Sequence, residues 1–195
     1  MSATNRGAIR HKDDAYYTPA WCVRALLATV QLPGGAWFEP AVGDGAIVRA
    51  VNSERSDVMW TTNDRISRGF DAGVAGWQST CEYTADGMFR PIKIGAARNS
   101  TFRVVITNPP FNQALEFVQG AMKDGEIVVM LLRLNWLASV KRNRFLLDNP
   151  PSVYVLPRRP SFTADGKTDA TDYAWFVWGM DAVPTCRVID SEVCK

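Results

Sequence analysis

Asn108, Pro109, Pro110 and Phe111 are consecutive, and together they offer what is needed to grip a planar amine. The Asn108 side-chain oxygen and the Pro109 carbonyl can both accept hydrogen bonds from an exocyclic NH2. The Phe111 ring can stack on the heterocycle that carries that amine. Two acceptors aimed at its hydrogens favour the pyramidal, nucleophilic form of the amine over the delocalised one. Two prolines in a row remove two backbone donors and stiffen φ, so the corner is rigid and poorly suited to an anion. Asn-Pro and Pro-Pro also mark ordinary turns, so on its own the tetrapeptide leaves a plain strand-terminating turn open.

The flanking residues place this corner. Phe102 to Ile106 is a β-branched run that reads as a buried strand. Ala114-Leu115, Phe117-Val118 and Ala121-Met122 recur at helical spacing just after it. The tetrapeptide is therefore expected at the carboxyl end of a strand, where open α/β sheets bind ligands.

A second candidate lies upstream. Ala36-Trp37-Phe38 runs as an apolar strand into Glu39-Pro40-Ala41-Val42-Gly43-Asp44-Gly45, and Ile47, Val48 and Val51 follow on a helix. A strand–glycine turn–helix unit lets the backbone approach a ligand at a helix amino terminus. Val48 stands where a dinucleotide fingerprint needs its third glycine, and no lysine follows the glycines, so neither NAD or FAD nor a nucleotide phosphate loop fits. Glu39 and Asp44 would repel a pyrophosphate but suit a ligand with an ammonium and hydroxyls. Val58 to Asp64 reads as the next strand, and its terminal Asp64 lies where a carboxylate can take both hydroxyls of a ribose. A turn aspartate is the other reading of Asp64.

With both motifs in place, the chain resembles the S-adenosylmethionine-dependent amino methyltransferases, whose hallmark is an Asn/Asp-Pro-Pro-aromatic tetrapeptide. Within them it is most similar to the DNA adenine-N6 group of small, phage-type enzymes. The likeness runs from about Tyr16 to Trp178. It implies a Rossmann-like seven-stranded α/β fold, mostly parallel with helices on both faces, the last strand antiparallel beside the fifth. It further implies that Asn108, Pro109, Pro110 and Phe111 are catalytic. Glu39, Pro40, Ala41, Gly43, Asp44, Gly45, Asp64 and Asn108 would hold S-adenosylmethionine, which leaves as S-adenosylhomocysteine. Tyr17-Thr18-Pro19 matches an element that closes over the cofactor's methionine end. Asp86, Met88 and Phe89 match one that holds its adenine, although Asp86-Gly87 is equally a common turn. The implied reaction is direct transfer of methyl to the adenine N6 amine in DNA, with short or relaxed sequence specificity and neither a metal nor a covalent enzyme intermediate. The same tetrapeptide serves guanine-N2 of ribosomal RNA and glutamine amides of proteins, and a non-catalytic nucleic-acid-binding module is a further alternative.

Composition sets the remaining bounds. A chain of 195 residues with 47% hydrophobic content is of a size for one domain with a sizeable core. Residues 1–15 are polar and aperiodic and are expected to form a flexible leader. Residues 16–195 then form a single methyltransferase domain with no large target-recognition domain. No apolar run reaches the length of a membrane span, and the amino terminus lacks the apolar core of a signal peptide. A cytoplasmic enzyme is expected, in the bacterial host if the gene is a phage's. Cys22, Cys81, Cys186 and Cys194 form no C-x-x-C pair and His11 is the single histidine, so no metal site is expected. The net charge of +2 is uninformative, but Arg133, Lys141, Arg142, Arg144, Arg158 and Arg159 face one acid, Asp148, between 133 and 160. With Trp136 and Phe162 as stacking groups, Arg133, Lys141, Arg142, Arg158 and Arg159 are candidates to track the DNA backbone around a single-stranded or flipped base. A solvated helix face plus a loop is the plainer alternative.

For the rest, Thr18-Pro19 reads as the cap and first position of a helix that Pro33-Gly34-Gly35 ends. Cys81 to Thr84 is expected as an edge strand, Glu126 to Leu132 as a central one, and Trp136 to Leu147 as a basic helix. Ser152 to Leu156 and Tyr173 to Trp178 are expected as the closing strands.

Overall fold

The structure is a computed structural model that describes residues 17–64, 78–79, 81–83, 89–91, 102–162, 168–181 and 183–194, with backbone alone for those between 78 and 91. Alternating strands and helices build one main sheet. In chain order its strands are β1 (Gly35–Glu39), β2 (Val58–Thr62) and β3 (Gln78–Ser79), then, after the separate hairpin of β4 (Cys81–Tyr83) and β5 (Phe89–Pro91), β6 (Phe102–Thr107), β7 (Gly125–Arg133), β8 (Ser152–Val155), β9 (Tyr173–Trp178) and β10 (Cys186–Val188). Across the sheet the order is β10-β8-β9-β7-β6-β1-β2-β3. Every pairing is parallel except those of β9, which runs antiparallel between β7 and β8. Seven strands thus take the expected arrangement, and β10 adds a short eighth at the edge.

Two differences from expectation concern the ends of this sheet. The third strand is Gln78–Ser79, while Cys81–Tyr83 pairs antiparallel with Phe89–Pro91 outside the main sheet. β10 was unforeseen because Cys186, Arg187 and Val188 are all exposed and show no alternation to read.

Side-chain alternation explains why the sheet is covered on both faces. Trp37, Val104, Ile106, Val129, Leu131, Trp175 and Val177 pack with α1 (Ala20–Thr29) and α2 (Ala46–Glu54) in one core. Phe38, Val105, Val128, Met130, Phe176 and Trp178 face the other way, onto Val118 and Ala121 of α3 (Ala114–Asp124). A hydrogen bond from Trp175 Nε1 to the Cys22 carbonyl, 2.8 Å, ties β9 to α1 through the first core.

The helices depart from the sequence reading where a side chain has another use. Pro19, not Thr18, is the cap residue of α1, and no side chain bonds to that end. The helix stops at Thr29, since Val30 is already extended. The predicted helix over 136–147 is two pieces: a 3-10 turn, Leu134–Leu137, and α4, Val140–Asp148. Trp136 turns into the second core while α4 buries no residue, so the two pieces present different faces. No helix among the described residues is long and apolar enough to cross a membrane.

One glycine is fixed by backbone approach. Gly179 has φ +85°, and a Cβ there would sit 2.1 Å from the Glu126 carbonyl oxygen of the neighbouring strand. Gly179→Ala should cost about 2–5 kcal/mol, combining left-handed strain with the clash. Chemical denaturation checks this, and an unchanged unfolding midpoint would contradict the close approach.

Candidate functional site

The strand order reverses between β1 and β6, so the crevice at their carboxyl ends is the place for a ligand. Register brings the candidates together there. Glu39 pairs with Thr62 at the ends of β1 and β2, and Thr107 ends β6 immediately before Asn108.

The glycine turn is stitched to the end of β2. Asn63 N–H donates to the Glu39 carbonyl (2.9 Å), Val42 N–H to the Asn63 carbonyl (2.8 Å), and Gly43 N–H to Asp64 Oδ2 (2.6 Å). Gly43 and Gly45 both take positive φ, 56° and 81°, which lets the chain turn into α2 without a Cβ clash. Apart from Gly43 and its chain neighbours, no atom of the described residues lies within 4 Å of where a Cβ on Gly43 would stand. Asp44 Oδ1 accepts from Ala46 N–H and Asp44 Oδ2 from Arg49 at 2.7 Å, which locks the first turn of α2.

Glu39 is 1% exposed, and its Oε2 meets no hydrogen-bond partner among the described residues. Burial, followed by the charges of Asp64 and Asp44, pushes its carboxyl well above the ordinary glutamate range. Asn63, 4% exposed, likewise has an Nδ2 without a partner among the described residues. Buried polar groups of this kind are costly unless something satisfies them. An ammonium can satisfy the glutamate and a carboxylate or hydroxyl oxygen the asparagine. Asn63 escaped the sequence reading because Asp64 beside it carried the recognisable pattern.

At the corner itself Pro109 is buried, Pro110 is exposed, and Asn108 and Phe111 are half-buried. The Pro110 carbonyl accepts from Gln113 N–H, which starts the 3-10 turn Phe111–Gln113. Asn108 Nδ2 donates to Thr18 Oγ1 at 3.2 Å, across ninety residues of chain, and Thr18 is buried. Tyr17, Thr18 and Pro19 line, together with Asp44, Arg49 and Phe162, an open cleft of about 470 Å³, and Thr18 is the residue of that lining that reaches Asn108.

Phe111 packs into a second group of residues. The Arg133 guanidinium lies 4.2 Å from its ring centroid, the Tyr173 ring is tilted against it at a centroid distance of 5.9 Å, and Phe162 meets Tyr173 edge-on at 4.9 Å. Arg133 Nε donates to Tyr173 Oη (3.0 Å) and Nη2 to Asp169 Oδ2 (3.2 Å), while Tyr173 Oη donates to Asp169 Oδ2 (2.6 Å). Burial pushes the Tyr173 phenol up, keeping it a donor to Asp169. Burial works against ionised Asp169, but Tyr173, Arg133 and Thr171 outweigh it and hold its carboxyl below the usual range. Nothing in the sequence marked Asp169 or Tyr173, which reach Arg133 only through the fold.

The other proposed DNA contacts are dispersed. Trp136 is 6% exposed, edge-on to Phe176 and Trp178, so its ring is core rather than a platform. Arg142 caps it from outside and donates to its carbonyl at 2.8 Å. Arg158 stacks on Trp21 and reaches the Cys194 carbonyl, Arg159 pairs with Asp172, and Lys141 is exposed on α4. Asp86 and Met88, the proposed adenine pocket, and residues 1–15 lie outside the described residues, as does the Phe89 side chain.

Neither a family model nor a curated protein sequence matches the chain. Solved structures do. A candidate RNA methyltransferase from Pyrococcus horikoshii superposes with a TM-score of 0.58 at 15% identity, over 90% of this chain and 93% of that one. A candidate class I S-adenosylmethionine-dependent methyltransferase from Listeria monocytogenes gives 0.57 at 13% identity, over 95% and 71%. The chain has the class I methyltransferase fold. A modification subunit of a candidate type I restriction enzyme from Vibrio vulnificus gives 0.54 at 15% identity over 90% of this chain, which spans about half of that one, 46%.

The buried glutamate yields a prediction. A carboxyl raised in the fold contributes stability that is full below the ordinary glutamate range and is lost as pH rises towards its raised value. Without ligand, the thermal midpoint should fall as pH climbs through that window, and Glu39→Gln should flatten the profile. Parallel profiles for the two proteins would show that Glu39 does not titrate this way.

Proposed function

We propose that the protein transfers a methyl group from S-adenosylmethionine to the exocyclic N6 amine of adenine in DNA, with short or relaxed sequence specificity. The observation that carries this reading is the orientation of Asn108 beside the glycine turn. Its Nδ2 donates to Thr18, so the amide presents its oxygen on the other side, and an oxygen is what accepts hydrogens from an amine. The neighbouring modification subunit supports DNA as the acceptor.

S-adenosylmethionine, when bound, supplies the electrophilic methyl group. Glu39 and Asn63 fit its ammonium and carboxylate, and Asp64, anchored by Gly43 N–H, fits the ribose hydroxyls. Tyr17, Thr18 and Pro19 wall the methionine side, while Pro40, Ala41, Asp44 and Gly45 shape the turn. Asn108 and the Pro109 carbonyl receive the amine hydrogens and favour its nucleophilic form. Phe111 stacks on the base, returning roughly 1–3 kcal/mol against the few kcal/mol of unstacking. Holding amine and methyl at about 3–3.5 Å supplies much of the remaining acceleration.

Asn108→Ala should lower kcat by roughly two to three orders of magnitude and leave cofactor affinity nearly unchanged. Turnover close to wild type would remove Asn108 from the mechanism. An RNA amine is the second reading, favoured by the Pyrococcus neighbour. Incubation with labelled cofactor and DNA, RNA or protein separates the acceptors, and digestion of the product identifies the modified base; label in RNA alone would overturn the DNA assignment.

A further inference from the structure

Arg133 was expected among the phosphate contacts, but its surroundings suit another task. It ends β7 directly opposite Tyr173, the first residue of β9, in the antiparallel ladder. The next residue, Leu134, donates its N–H to the Asp172 carbonyl at 2.8 Å, and Asp169 N–H bonds to the Pro160 carbonyl at 3.0 Å, so the loop carrying Asp169 is tied to both sides. Asp169 commits both oxygens: Oδ2 to Arg133 and Tyr173, and Oδ1 to the N–H and hydroxyl of Thr171 at 3.2 Å each. The guanidinium commits Nε to the phenol at 3.0 Å and Nη2 to the carboxylate at 3.2 Å while its Cζ lies 4.2 Å over the Phe111 ring centroid, so these three partners together set its position. Its planar fork can satisfy the carboxylate, the phenol and the ring at once, which a lysine cannot do.

We infer that Arg133, Asp169 and Tyr173 form a clamp that fixes the plane of Phe111, and thereby the angle at which the target amine meets Asn108. The three are positioning residues that act through Phe111 and do not themselves touch the base. The inference rests on the proposed role of Phe111 as the stacking surface. It also gives the loop before β9 a task in the reaction: by carrying Asp169, it sets an aromatic ring on the opposite side of β7.

The test uses the full chain with ring-labelled phenylalanine, the Phe111 signal being assigned with Phe111→Leu. Arg133→Met and the near-isosteric Asp169→Asn should both shift or broaden that signal, and Arg133→Lys should not restore it. Each should lower kcat at least tenfold on whichever acceptor the wild type methylates. Cofactor affinity should hold within about twofold, as should the slope of nucleic-acid affinity against salt. An unchanged Phe111 signal in Arg133→Met and Asp169→Asn overturns the clamp. So does intact kcat with a salt slope reduced by about one, the mark of a lost phosphate contact. A wild-type chain that methylates RNA or protein but not DNA overturns the proposed acceptor and leaves the ring signal to decide the clamp.

Discussion

Parallel strands cannot be joined by hairpins, so each must return through a crossover, and every forward strand delivers its carboxyl end to one edge of the sheet. That constraint is what assembles this site. Glu39, Asp64 and Asn108 are spread over seventy residues of chain, yet the register of β1, β2 and β6 sets them side by side. The crevice opens where the strand order reverses, between β1 and β6. The glycine turn and the proline corner are therefore its two walls rather than two separate sites.

Electrostatics give those walls opposite characters. The β1 wall is acidic and partly unsatisfied, with a buried glutamate between two aspartates. The β6 wall is neutral and stiff, made of an amide, two imino acids and a ring. A cationic ligand belongs against the first and an uncharged heterocycle against the second. The division follows from residue types alone, and it makes a polyanionic cofactor a poor occupant of the β1 side.

Much of this was legible before the structure, for physical reasons that differ from element to element. β6, β7 and β9 were readable because burial on both faces leaves near-continuous apolar runs. Glu39 to Gly45 was readable because a strand, a tight turn and a helix leave distinct patterns in quick succession. Thr18 misled because a hydroxyl before a proline is also a helix cap, and only the fold brings Asn108 to it. Trp136 misled because a tryptophan near arginines resembles a base platform until Phe176 and Trp178 cover it. Asp169 was silent because its partners come to it only through the fold, and Asn63 because Asp64 beside it carried the pattern.

The reversed strand has a consequence for how the chain is made. β9 occupies an interior position, yet its residues follow those of β7 and β8 in the chain. Until the ribosome has passed Trp178, β7 has no neighbour on that side and displays an unpaired apolar ladder. Such an open edge invites pairing with other chains. A message cut short before Tyr173 would therefore yield a product prone to aggregation rather than a slightly destabilised domain.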